Sequence, residues 1–430
     1  MLFKSLRITN WRQFHALHLD FHDRLTVLTG ANGSGKTTIL NLLSRHFGWQ
    51  GTLVSTPRRR AGSLVYFPDY WTDDWLKAYS DWLEGKSSTL EEPTLPATPG
   101  APEQVIGEIA YGTGVASQLT VPATVNAAFQ VNFRNQQSIK GIHIPSHRPI
   151  YSYQPVQNIP TIPRRRDQTY STYMSIVQSR YYGGHHQWTP NYYMKETLIA
   201  LAIFGPGNTL VEPDAESLAT FEGFQTVLRT VLPPVLGFER LTIRLPEVVL
   251  VTKTGDFSLD AASGGVASLI DLAWQIFMYA PPDTPFVVTI DEPENHLHPE
   301  LQRTVLGTFL KAFPAVQFIC ATHNPFIVTS VPDSNTYVLR FDEDHRVQSE
   351  FLADIDRTGS SNEILRDVLG LPSSSPTWVE QELEEVAAIA AGQDLTPALV
   401  EELQQRLGAL GLARFVPSSL ARLAQQQLGR

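Results

Sequence analysis

Cysteine is almost missing: Cys320 is the only one among 430 residues. That excludes an internal disulfide framework and a zinc site built from one chain's cysteines. Long apolar runs are missing as well. Nowhere do about 18 uncharged apolar residues follow one another, the length a membrane-spanning helix needs. The opening MLFKSLRITNWRQF holds no apolar stretch of signal-peptide length. Basic charge is the third shortage, with 33 Lys+Arg against 43 Asp+Glu and a net charge of −10. A constitutive nucleic-acid binder carries a basic footprint, so the balance weighs mildly against one, while a local basic groove stays open. No fixed-period repeat occurs, and 51–250 sustains no heptads, which disfavours a coiled-coil tether. What remains is an ordinary globular mixture, 42% hydrophobic and 18% charged, long enough for one large or two ordinary domains. A cytoplasmic protein with no membrane partner is expected.

The pattern predicts strands over 2–8 and 16–21, joined near Asn10-Trp11, and a third over 25–28 that runs into a Gly-rich turn. From 51 to 105 the pattern loosens, ending in the Pro/Ser/Thr-rich SSTLEEPTLPATPGAP, which reads as a linker or mobile loop. Strands are expected at 104–111, 117–122 and 128–144, helices at 168–182, 191–204 and 214–231, and strands at 240–244 and 247–252. The final third alternates: helix 264–279, strand 285–290, helix 299–312, strand 316–321. Strands this apolar between amphipathic helices imply a parallel sheet covered on both faces. The chain after 355 reads as helices rich in Leu, Ala, Gln and Glu.

Four constellations carry chemistry. Gly30-Ala31-Asn32-Gly33-Ser34-Gly35-Lys36-Thr37-Thr38 fits G-x-x-x-x-G-K-[ST] between a strand and a helix. Its glycines let backbone N–H groups converge on phosphate oxygens at a helix N-terminus. Lys36 is expected to reach the β- and γ-phosphates of ATP, and the Thr37 hydroxyl to bind Mg²⁺. Next, the apolar strand FVVTI ends in Asp291 and Glu292. A buried strand does not run into adjacent carboxylates without a use for them. Asp291 suits the Mg²⁺ site, directly or through water, and Glu292 suits a general base for the attacking water. Ser263-Gly264-Gly265 precedes a helix 27 residues before Asp291 and can form an anion site. His323 follows the strand 317–321, 31 residues past Glu292, at the ligand-binding edge of such a sheet, where it could sense the γ-phosphate.

In this order the motifs resemble Walker A, the ABC signature, Walker B and the switch histidine of ABC-type ATPases. More narrowly they are similar to the RecF/SMC/OLD branch, on the opening LRITNWRQF, on DEPENHLHPELQ and on ATHNPFIV. IPSHRP at 144–149 and SSNEILRDVLGLP at 360–372 resemble the ATPase subunits of Septu and retron-associated anti-phage systems. The resemblance implies an α/β, ABC-type P-loop fold: a mixed sheet flanked by helices, a large α+β insertion and a helical C-terminal tail. Core lobes are expected at 1–50 and 235–355, the insertion at 51–234 and the tail at 356–430. It also implies a head-to-tail homodimer burying two ATPs, each between one copy's 30–38 loop and the other's Ser263, Gly264 and Gly265. Arg12 stands where the branch has an adenine- or phosphate-contacting arginine. The Q-loop residue is Gln154 or Gln157. Val266 stands where the signature has glutamine, and Ala262 where it has leucine.

Other features carry less. His296 and His298 are expected to pack the loop rather than hold a metal. Arg58–Arg60 and 164–166 are expected to be solvated, with nucleic-acid contact as the alternative, and 342–344 to form a hairpin turn. The roughly 75 residues after 355 lack a nuclease's acidic pairs, which predicts a switch without its own effector. A separate nuclease or toxin in a defence system is the expected partner. The alternatives are a RecF-like DNA-repair ATPase and, less favoured, a transporter subunit.

Overall fold

Strands buried at every position need cover on both faces, and such strands form the centre of the molecule. The structure is a computed structural model that describes residues 1–60, 63–67, 69–70, 77–78, 81, 85–86, 103–122, 126–148, 151–162, 165–281, 283–352, 361–370, 378–379, 381, 385 and 397–409. The main sheet has eleven strands: β1 Phe3–Trp11, β2 Phe14–Asp20, β3 Leu25–Gly30, β4 Glu103–Tyr111, β5 Ala116–Pro122, β6 Asn132–Arg134, β7 Gly141–Ile144, β8 Phe286–Asp291, β9 Val316–Ala321, β10 Asn335–Phe341 and β11 Val347–Phe351. Their order is β6-β5-β4-β1-β2-β11-β10-β3-β9-β8-β7. From β10 to β7 every pairing is parallel. From β6 to β2, and between β10 and β11, pairing is antiparallel, with one parallel join of β11 to β2. The sheet is thus the expected mixed one flanked by helices.

Alternation along each central strand divides the core in two, because successive side chains point to opposite faces. Val27, Val288, Phe318 and Cys320 pack with four helices: α2 Arg166–Tyr181, α3 Pro190–Phe204, α4 Ala215–Val231 and α5 Gly264–Tyr279. Leu28, Val287, Ile319 and Ala321 pack on the other side with the helix Lys36–Ser44 (α1) and the antiparallel strands. Two strands distant in sequence are stapled by Gln317, whose buried amide accepts the Phe3 N–H at 3.1 Å and donates to the Phe3 carbonyl at 3.0 Å.

Several boundaries differ from those expected. The 51–234 region is not a separate insertion throughout: β4 to β7 belong to the main sheet, with β4 paired to β1 and β7 to β8. Conversely, within 235–355 the strands Phe238–Arg244, Glu247–Thr252 and Phe257–Ser258 form a sheet of their own. The run 128–144 breaks into Ala128–Phe129, β6 and β7, and the helix 299–312 into Pro299–Gln302 and Val305–Ala312. The first hairpin turns at Arg12-Gln13, later than expected, because Trp11 still pairs with Phe14. The 342–344 turn is as expected, with the Asp342 N–H donating to the Arg346 carbonyl at 2.7 Å.

The chain forms two units, Met1–Ser361 and Asn362–Arg430. The second contributes a π-helical turn, Ile364–Val368, and the helix Pro397–Ala409, in which Ile364 and Leu407 are buried. The expected mobile loop at 87–102, Pro149, Arg164, and most of the tail helices lie outside the described residues. Among the described residues no helix is long and apolar enough to cross a membrane.

Candidate nucleotide site

β3 is buried at all six positions and stops at Gly30, where φ is 136° and a Cβ would strike the Leu339 carbonyl of β10. Gly33 and Gly35 also lie in the left-handed region, at φ 82° and 96°. Only glycine takes such angles without strain. A Cβ on Gly35 would run into Gln13 and Phe14, so the turn is packed directly against the first hairpin. Lys36 then opens α1. Its ammonium donates to the carbonyls of Gly30 at 2.8 Å and Ala31 at 3.0 Å. Burial lowers the Lys36 pKa, against the pull of Asp291, Glu292 and Glu294. Ser34 is fully buried and its hydroxyl has no partner.

The other half of the site comes from the ends of β8 and β9. The Thr37 hydroxyl donates to Asp291 Oδ2 at 2.9 Å, joining strand and loop across 254 positions. Burial holds the Asp291 carboxyl above its usual pKa. Glu292 follows at φ 50°, and its N–H donates to the Ala321 carbonyl at 2.8 Å. Its carboxylate lies between two partners: His323 Nδ1 at 3.0 Å from Oε1, and Asn295 Nδ2 donating to Oε2 at 3.0 Å. Beneath, the buried Glu294 accepts a bond from the Thr322 hydroxyl, and burial raises its pKa too. Gln13, Asn32, Gly33, Gly35, Lys36, Thr37, Thr38, Asp291 and Glu292 line a pocket of about 250 Å³.

Lys36, Thr37, Asp291, Glu292 and His323, expected from motifs nearly 300 positions apart at the extremes, are thus brought together. Three other expectations are not met by the geometry. Arg12 does not line the pocket; its N–H donates to the Asp69 carbonyl at 2.6 Å and its guanidinium lies 6.0 Å from the Trp11 ring. The neighbouring Gln13 takes that place, a shift of one residue at a turn whose φ of 51° at Arg12 turns that side chain away from its strand register. Gln154 is committed to the helical lobe: its carbonyl Oε1 accepts from the Thr189 N–H at 2.9 Å and hydroxyl at 2.7 Å, and Nε2 donates to the Gln187 carbonyl at 3.3 Å. It therefore caps the approach to α3 instead of lining the pocket; Gln157 is exposed. Arg166 is not solvated: it lies 3.7 Å from the Phe277 ring centre, donates to the Ala280 carbonyl, and burial lowers its pKa to about 10.

Ser263, Gly264 and Gly265 open α5 beside the loop after β8, where a Cβ on Gly265 would lie 3.2 Å from the His296 carbonyl. His298 Nδ1 accepts the Glu300 N–H at 3.4 Å, a helix cap, and no group of three metal ligands exists among the described residues. Arg58–Arg60 lie in the strand Thr56–Arg60. Sequence reasoning did not single out Gln13, Asn295, Glu294 or Arg148 as site residues. The signal for Arg148 is weak, a cation four residues past the short strand GIHI.

The residues fit a nucleoside triphosphate with a divalent cation. The left-handed glycines leave the loop amides free of Cβ cover, Ser34 has an orphan hydroxyl, and a hydroxyl–carboxylate pair is the donor set hard cations take. Thr37 and Asp291 would hold Mg²⁺, which neutralises phosphate charge when bound.

Two segments match family models: residues 243–329 match "AAA domain, putative AbiEii toxin, Type IV TA system", and residues 5–62 match "AAA domain". They bring, respectively, β8 with its acids and His323, and β3 with its loop. The chain is similar to AAA-type ATPases. Among curated proteins it is 38% identical over 53 residues to the Retron Vc95 probable ATPase of Vibrio cholerae, and 34% identical over 91 residues to the Septu protein PtuA of Bacillus mycoides. These matches cover 12% and 20% of this chain, and only 10% and 13% of the relatives' own lengths. The Retron Ec83 probable ATPase of Escherichia coli is 28% identical over 115 residues, covering 24% of this chain and 21% of that protein. Among solved structures, the SMC head domain from Thermotoga maritima aligns over 82% of this chain and 99% of that one, at 14% identity and a TM-score of 0.41.

Proposed function

We propose that the chain is an ATP-hydrolysing switch of the ABC type, bound to ATP and Mg²⁺, working head to tail with a second copy and controlling a separate effector in anti-phage defence. The observation that supports it is the Glu292 carboxylate, half-buried at the pocket's edge and oriented by His323 and Asn295, next to a Thr37–Asp291 pair. A carboxylate so held can orient a water and accept its proton. Lys36 binds negative charge at the loop, and Asp291 keeps the Thr37 hydroxyl turned to the cation position. Similarity to Septu and retron ATPases over short segments supports the defence setting.

The test is phosphate release by the purified chain with ATP and Mg²⁺, together with what co-purifies. Glu292→Gln should retain nucleotide and stop turnover, and Lys36→Ala should bind none. A protein recovered in fixed ratio with Glu292→Gln and absent from Lys36→Ala supports the effector. Nuclease-sensitive DNA in its place would favour a repair-type ATPase. No turnover by the unaltered chain would sink the hydrolysis reading.

A further inference from the structure

Glu292 holds a left-handed φ of 50°, which a non-glycine residue keeps only where its surroundings enforce it. Backbone bonds of Glu292 to Ala321 and Asn295 hold this turn, and so does Arg148, carried past β7 and buried. Its Nη2 donates to the Glu292 carbonyl at 2.6 Å. Its Nη1 donates to the Ser268 hydroxyl at 2.8 Å, with the carbonyls of Pro293 and Asn295 at 3.4 and 3.5 Å. Ser268 donates in turn to the Asn295 carbonyl at 3.2 Å. One guanidinium therefore touches both the turn that aims Glu292 and the helix α5 that begins at Gly264. Buried charge of this kind needs countercharge. Asp271, one turn further along α5, supplies it, with Asp291 and Glu294. The Tyr173 hydroxyl of α2 and Gln275 Nε2 donate to Asp271, which fixes that carboxylate in turn.

We propose that Arg148 is a positioning residue that locks the Glu292 turn to helix α5, so that a displacement of α5 at its Ser263–Gly265 end is passed to the general base. The planar fork is what the task needs: a guanidinium donates in two directions at once, whereas a lysine ammonium in the same place serves one point. The inference rests on the hydrolysis reading for its kinetic consequence but not for its structural one.

The experiment addresses both. Arg148→Lys keeps the charge and breaks the fork; Ser268→Ala removes the arm to α5 together with the Ser268–Asn295 bond and leaves the Arg148–Glu292 bond. Hydrogen exchange at the amides of residues 294–297 should quicken about tenfold or more in each variant. In steady state kcat should fall roughly 100-fold in Arg148→Lys, with nucleotide affinity within about threefold of the unaltered chain, as misplacement of a catalytic group by about 1 Å produces. Ser268→Ala should show the same split at about three- to tenfold, with its thermal midpoint unchanged. Unaltered exchange at 294–297 in Ser268→Ala would overturn the proposal, and so would an affinity loss equal to the kcat loss. Should Arg148→Lys fail to fold, Ser268→Ala decides alone. Should the unaltered chain hydrolyse nothing, the functional reading falls, and exchange still decides the lock.

Discussion

Two glycine-rich turns lead into helices in this molecule, and they are finished to different degrees. The 30–38 turn is surrounded by its own chain: Gln13 and Phe14 press on Gly35, Lys36 reaches back over it, and Thr37 reaches Asp291. The 263–265 turn has Ser263 at the cap position without a capping bond, and both Gly264 and Ser263 stand toward solvent. Both turns present amides at a helix N-terminus, where negative charge is favoured. Only the first is supplied with a cation, a hydroxyl and carboxylates from the same copy. A second turn left bare on its own chain is what a shared site between two copies needs, and this asymmetry supports the head-to-tail reading.

The contrast is tested hardest at Glu292. Glu292→Gln should reduce kcat by about 10²–10⁴-fold with nucleotide still bound, as loss of a general base does; phosphate release and nucleotide retention measure it. If the 263–265 turn serves a partner's nucleotide, Lys36→Ala and Ser263→Arg should each be inactive alone. Mixed in equal amounts they should recover about a quarter of the activity, since half the dimers carry one intact site of two. A mixture as inactive as its parts would remove the second turn from the reaction.

The sheet beneath the first turn also carries an acid-labile group. His143 is fully buried against the Thr289 hydroxyl of β8, and burial lowers its pKa to about 3. Its folded value lies below the unfolded one of about 6.5, so the unfolded chain takes up the proton first and stability falls as pH falls below 6.5. The slope is about 1.4 kcal/mol per pH unit. Denaturation midpoints at pH 7 and 5 should differ less in His143→Gln. Asp291 and Glu294, raised by burial, act in the opposite sense in both proteins and cancel in that difference. At the smallest scale, Gly35→Ala should cost roughly 1–3 kcal/mol or more, for strain at φ 96° and for a Cβ pressed on Gln13 and Phe14. Gly264→Ala, with nothing nearer than His296 Cβ at 3.9 Å, should leave the thermal midpoint unchanged.

Much of the site was legible because its residues are tied to strand ends. A buried strand announces itself by composition, and the residues just past its end must stand at one edge of the sheet, so Lys36, Asp291, Glu292 and His323 could be assigned together. The helices expected at 168–182, 191–204, 214–231 and 264–279 were readable within a few residues. Residues off that pattern were not readable. Arg12 and Gln13 differ by one position in a turn, and sequence does not reveal which of them faces the loop. Gln154 and Gln157 sit in irregular backbone without a period to orient them. β4 to β7 look like an insertion in sequence, since membership of a sheet is decided by pairing with β1 and β8, over 90 positions away for β4 and over 140 for β7.

β3, which presents the loop, ends at Gly30, while its two neighbours start at Val316 and Asn335. During synthesis at about 5–20 residues per second, that strand waits on the order of 15–60 s before either flank exists. Throughout that interval a strand of six positions, buried in the finished molecule, stands uncovered. Nucleotide therefore cannot guide the early growth of this chain: the strands on either side of its loop must be made before it can first be held.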